Sequence, residues 1–214
     1  MNGNKKGIFL TVISLVAIGA LFTGIFISQH LQASKKIEVA DFHGTYLEKP
    51  RTVNQFTLTG MDEKSFDNAS LQGKWTMVFF GFTSCGYLCP TTMAELGKMY
   101  RQLEEKGVKN LPRVVMISID PDRDSTEKLS HYVTAFHPSF YGARGEDASI
   151  KAMTREMGIA YAKVLSKEGA EPKNYDIQHS GAVMLFNPKG ELNAFFTTPH
   201  HADLLVKDYM LLQS

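Results

Sequence analysis

The chain of 214 residues holds two cysteines, Cys85 and Cys89, in the stretch FFGFTSCGYLCPTTMAEL. Gly86, Tyr87 and Leu88 stand between them, one residue more than in a C-x-x-C redox motif. If the segment is helical, positions four apart share a face, with β-carbons about 5–6 Å apart. Two sulfurs so placed could grip one metal ion at about 2.3 Å each. They could equally form a disulfide and exchange it with a partner, and the spacing alone fits both. A disulfide staple or two inert buried thiols are the structural alternatives, although so short a loop contributes little by cross-linking.

A third ligand must come from His30, His43, His131, His137, His179, His200 or His201. His179 lies in NYDIQHSGAVMLF, immediately before an apolar run that reads as a strand of the central sheet. A residue entering a strand is fixed by it yet reaches the surface. The tandem His200-His201 flanks the last helix and reads more readily as a cap or a solvated pair. Two thiolates and one imidazole make a soft site of low coordination. Structural zinc takes four ligands and iron–sulfur clusters take four cysteines, so the donor set suits copper(I).

The elements that must position these groups follow from hydrophobic periodicity. WTMVFFGF is a continuous apolar run of β-formers, as in a strand buried on both faces. Pro90 opens a helix whose Met93, Leu96, Tyr100 and Leu103 recur at three- and four-residue spacing, with Gly107 as C-cap. The cysteines thus fall between the C-terminal end of a strand and a helix N-terminus, where open α/β sheets place their sites. The partial positive charge there favours thiolate. QFTLTG, RVVMISI and IAYAKVL read as further strands, and GAVMLFNPKGELNAFF as two strands joined by a turn at Asn187–Gly190. Asp124 with Glu127 resembles a helix start, with that helix running to about Phe136. Helices are also expected at 147–157 and in ADLLVKDYMLL. The whole predicts an α/β fold, a central mixed sheet flanked by helices, with its first two buried strands parallel neighbours.

The N-terminus differs. Residues 7–28 carry no charge, and a helix of that length covers about 30 Å, the thickness of a bilayer core. A cleaved signal peptide is the rival, but its apolar region normally spans about 7–15 residues. The expectation is one transmembrane helix, with Lys5 and Lys6 in the cytoplasm. The absence of arginine before Arg51 argues against a mitochondrial transit peptide and for a bacterial inner membrane, single-pass, with a periplasmic C-terminal domain. The expected division is a stub and anchor over 1–28, a linker over 29–52 and the folded domain over 53–214. Lys and Arg total 23 against 22 Asp and Glu, which argues against nucleic acid as a partner.

VFFGFTSCGYLCP, MISIDPDRDS, YDIQHS and LFNPKGEL resemble, in order and spacing, the SCO/SenC family of copper-binding cytochrome oxidase assembly proteins, from about Phe56 to the end. The resemblance implies a thioredoxin-like fold with an inserted hairpin and helix. It also implies one copper ion per domain, held by Cys85, Cys89 and His179. The implied role is a membrane-anchored copper chaperone serving oxidase subunit II or another periplasmic copper or thiol protein. The alternative is a thiol-disulfide oxidoreductase or redox sensor using Cys85 and Cys89 on cysteines of a periplasmic partner. Two departures stand out: the family loop is commonly C-P-x-x-C, where this chain has Gly86-Tyr87, and its histidine usually follows Asp directly. Here Gln178 precedes His179 and Asp176 lies three residues before it. A peroxidase needs only a reactive cysteine. A Cys-His protease needs an oxyanion hole, for which the sequence shows no signature.

Overall fold

The computed structural model describes residues 15–24, 41–165 and 175–213. The chain divides into two compact units, Met1–Glu38 with Ser214, and Val39–Gln213. In the first unit the described residues, 15–24, are helical and exposed. Among the described residues no helix is long and apolar enough to cross a membrane. Ten helical residues rise about 15 Å, half of a hydrocarbon core, and the rest of the expected span, 7–14 and 25–28, lies outside the described residues. The expected transmembrane helix is therefore corrected. With it go the membrane-anchored form of the chaperone, the single-pass topology and the placement in an inner membrane.

In the second unit an eight-stranded mixed sheet carries the fold, in the order β1-β10-β9-β4-β5-β6-β2-β3. The strands are β1 (Thr45–Arg51), β2 (Thr57–Gly60), β3 (Ser65–Asp67), β4 (Thr76–Gly81), β5 (Arg113–Ser118), β6 (Tyr141–Arg144), β9 (Val183–Phe186) and β10 (Leu192–Phe196). Every residue of β4 is buried, as its unbroken apolar run demands. It pairs in parallel with β5, Val78 opposite Val115, and antiparallel with β9, Val78 opposite Met184. The turn between β9 and β10 is held by Asn187 Oδ1, which accepts from the backbone N–H groups of Lys189 and Glu191. A separate two-stranded ribbon pairs β7 (Tyr161–Leu165) with β8 (Tyr175–His179), Tyr161 opposite His179.

Among the described residues of this unit, four α-helices flank the sheet: α1 (Leu88–Glu105), α2 (Thr126–Thr134), α3 (Asp147–Met157) and α4 (Ala202–Leu211). The expected apolar stripe of α1 is buried at Met93, Leu96, Tyr100 and Leu103, and Gly107 beyond its end has φ 69°. The cap of α2 is Ser125, whose hydroxyl accepts from Lys128 N–H, and not Asp124. That helix stops at Thr134, two residues short of Phe136. Part of the stretch expected as a linker, Thr45–Arg51, forms β1 and pairs with β10. It reads TYLEKPR and is largely exposed, an edge strand that needs no apolar alternation.

Candidate metal centre

β4 ends at Gly81 and α1 begins at Leu88, so the chain turns through Phe82–Tyr87 at the C-terminal end of the sheet. The turn is anchored by Asp124, a fully buried carboxylate. It accepts from the Thr83 hydroxyl at 2.5 Å, from Thr83 N–H at 3.1 Å and from the Ser118 hydroxyl at 2.6 Å. Cys85 then places its sulfur over the first turn of α1, where it accepts from Cys89 N–H at 3.3 Å. One of the unpaired amides of the helix start is thereby satisfied by a sulfur. Cys89 is buried inside that turn, Cys85 is half-buried, and both are free thiols.

His179 is the last residue of β8 and brings its imidazole to the two sulfurs. Its Nδ1 lies 3.0 Å from the Ser180 carbonyl oxygen. A carbonyl only accepts, so Nδ1 carries the proton and Nε2 presents its lone pair to the sulfurs. Nε2 stands 3.3 Å from Cys89 Sγ and 4.0 Å from Cys85 Sγ. Phe82 meets the imidazole edge-on at 5.7 Å between centroids and Phe79 lies at 6.0 Å, both fully buried. These rings exclude water from one flank of the site. Gly81 makes room beside the Phe79 ring and Cys89: a β-carbon there would lie 2.7 Å from the Phe79 ring and 3.0 Å from Cys89 Sγ.

Among the described residues, the donor atoms of Cys85, Cys89 and His179 form a group that could hold a metal ion, all within 4.8 Å of one another. Bonds of about 2.3 Å to sulfur and about 2.0 Å to nitrogen put sulfur and nitrogen about 3.7 Å apart around a trigonal three-coordinate ion. The separations of 3.3 and 4.0 Å fall on either side of that value. Two soft donors and one imidazole match a soft ion.

The two thiols differ in acidity. Hydrogen bonding from Cys89 holds the Cys85 thiol down at about 4, against the opposing effect of burial, with the Cys89 and Tyr87 amides adding to the lowering. Cys89 is pushed well above the ordinary thiol range, first by sharing its hydrogen with Cys85 and then by burial. At neutral pH the pair is one thiolate and one thiol.

The other histidines serve elsewhere. His43 Nδ1 bonds Asp208 at 2.8 Å, and His137 stacks near Tyr100 and reaches Glu104 at 3.4 Å. His200 is buried and donates from Nε2 to the Gly181 carbonyl at 2.6 Å, while His201 occupies the cap position of α4. His131 lies on α2, and His30 lies outside the described residues. Asp176, three residues before His179, does not orient the imidazole: it is exposed and accepts from its neighbour's amide, Ile177 N–H, at 2.8 Å. The Ser180 carbonyl does that work instead. Sequence reasoning missed Asp124 and Phe82 as supports of the site. Asp124 lies in a segment read as a helix start, and only its lack of side-chain capping distinguishes it.

The SCO1/SenC family profile matches residues 44–211. The chain belongs to the SCO1/SenC family. A putative copper-binding protein of Stutzerimonas stutzeri is 29% identical over 157 residues, covering 73% of this chain and 74% of the relative. The copper-bound crystal structure of Arabidopsis thaliana ScoI is 30% identical, with a TM-score of 0.67 over 75% of this chain and 96% of that one. The apo Sco1 of Thermus thermophilus is 31% identical, with a TM-score of 0.69 over 80% and 96%. The thioredoxin-like α/β architecture of this SCO1/SenC domain and a Cys-Cys-His cluster able to coordinate a metal stand together with that membership.

Proposed function

We propose that this SCO1/SenC protein is a copper chaperone: it carries one copper ion as Cu(I) on Cys85, Cys89 and His179 and passes it to a copper- or thiol-bearing partner. The family resemblance names cytochrome c oxidase subunit II as that partner. The observation that supports this reading most is convergence. Two sulfurs from one helix start and one imidazole from a distant ribbon meet within 4.8 Å, with the imidazole tautomer fixed for metal ligation. Cys85 supplies a ready thiolate and Cys89 gives up its proton as the ion enters. The partly exposed Cys85 and His179 give an incoming ligand access. Competition against a chromophoric Cu(I) chelator tests the reading: one ion per chain is expected, with loss of tight binding in Cys85→Ser and Cys89→Ser. Undiminished binding in Cys85→Ser would refute it.

The split acidity of the pair supports a second reading, thiol-disulfide exchange. The Cys85 thiolate attacks a partner disulfide, forming a mixed disulfide and releasing one partner thiolate. Cys89 then attacks Cys85 Sγ, closing the intramolecular disulfide and releasing the second partner thiolate, which takes up the Cys89 proton. Two electrons pass from this chain to the partner. The reaction has no need of His179, so His179→Ala separates the readings: exchange persists under the second, copper carriage weakens under the first.

A further inference from the structure

His179 rides on a ribbon that no ladder hydrogen bond joins to the eight-stranded sheet among the described residues. Beyond His179 the chain runs straight into β9, but the far end of the ribbon is held by side chains, and the segment between β5 and α2 supplies them. Asp120, fully buried, accepts the Tyr175 hydroxyl at 2.5 Å on Oδ1 and Arg123 Nε on Oδ2. Arg123 Nη1 donates to the Tyr175 carbonyl at 2.8 Å, and its guanidinium lies 3.9 Å from the centroid of the Tyr175 ring. The same guanidinium is 5.7 Å from the ring centroid of Phe82, the ring that meets His179 edge-on. On the opposing strand Lys163 reaches Asp122 at 2.7 Å.

We propose that Arg123, with Asp120 and Tyr175, is a positioning latch for the third ligand: it fastens the β7–β8 ribbon so that His179 faces the cysteines. The latch deepens the copper reading and rests on it for its effect on affinity. Arg123 suits the task because one planar, permanently charged group bonds a carboxylate, donates to a carbonyl, lies against the Tyr175 ring and stays within cation–π reach of Phe82. Tyr175 is the first residue of β8 and His179 the last. Fixing the far end of so short a strand, with Ile177 buried between, sets the direction of the near end. Arg123 touches neither ion nor sulfur and acts through the ribbon.

The test uses the full chain, reduced and metal-free, as wild type, Arg123→Met and Tyr175→Phe, the last removing only the hydroxyl bond to Asp120. Nuclear Overhauser contacts between the His179 imidazole and the Phe79 and Phe82 rings report the position of the ligand, and contacts between β4 and β5 report the fold. Cu(I) affinity is then measured in each variant, alone and combined with His179→Ala. We expect the imidazole–phenyl contacts to weaken while the β4–β5 contacts persist. Affinity should fall about tenfold in Arg123→Met, the low end for loss of a group that orients a metal ligand. In the His179→Ala background the same change should cost nothing further. Unchanged imidazole contacts, or an equal loss of affinity without His179, would overturn the latch. If Arg123→Met loses its β4–β5 contacts, Tyr175→Phe decides by the same two readouts. If wild type and Cys85→Ser bind Cu(I) alike, the copper reading fails and the imidazole contacts alone decide.

Discussion

Two sulfurs four residues apart carry unequal burdens in this protein. Cys85 is charged at neutral pH and Cys89 is not, because one hydrogen serves both and burial falls mainly on the second. Alkylation of the metal-free protein at pH 6 should therefore modify Cys85 first, at a rate nearly flat between pH 6 and 8, as peptide mapping would show. A rate that climbs tenfold per pH unit would mean an ordinary thiol. Copper(I) loading near pH 7.5 should release about one proton, from Cys89, and not two; binding heats compared across buffers of different ionisation enthalpy count it. Affinity then rises with pH over pH 7–9, since the metal competes with a proton on Cys89. Two glycines near the pair make opposite predictions. Gly86 has nothing within 4 Å of a built β-carbon, whereas at Gly81 that atom meets Phe79 and Cys89. Gly86→Ala should leave copper binding unchanged. Gly81→Ala should cost about 1–3 kcal/mol of stability from overpacking and weaken the site with it; denaturant midpoints and chelator competition measure the two.

At the scale of elements, the start of α1 and the turn before it act as one piece, fastened by Asp124. Replacing it with Asn leaves one carboxylate-like oxygen and turns an NH2 group toward donors. Thr83 and Ser118 then lose partners, at a cost of about 1–3 kcal/mol for a buried donor left unpaired. Urea unfolding of Asp124→Asn should show that loss, and a stability equal to wild type would deny the anchor. Much of this was readable in the sequence. β4 and α1 announce themselves because WTMVFFGF and the Met93–Leu103 stripe each fit one period over many residues, and the two cysteines and His179 stand out by chemistry. What escaped was set by distant contacts. YDIQH alternates over too few residues to declare a strand, so His179 reads as preceding one and not as ending β8. The inward turn of Asp124 depends on Thr83, forty-one positions away.

For the molecule as a whole, the loop before α4 closes the sheet end that carries the site. His200 is held there by its bond to Gly181, two residues after His179. Burial holds its imidazole below the ordinary value of 6.5. The unfolded chain takes up that proton more readily than the folded one. Stability from this group is therefore full above about pH 6.5 and lost as pH falls through the lowered folded value. Urea midpoints should drop between pH 7 and 5, and drop less in His200→Gln, which keeps a donor for Gly181. An identical drop in both would assign the acid sensitivity elsewhere.

The strand β1 at one border of the sheet has a further consequence. Its Glu48, Lys49, Pro50 and Arg51 put charge, and one residue without an amide hydrogen, along the open rim, while β3 at the other border is three residues long. Neither rim offers a template on which another chain could extend the sheet. Both borders of the sheet are thus guarded against pairing with a second copy of the chain.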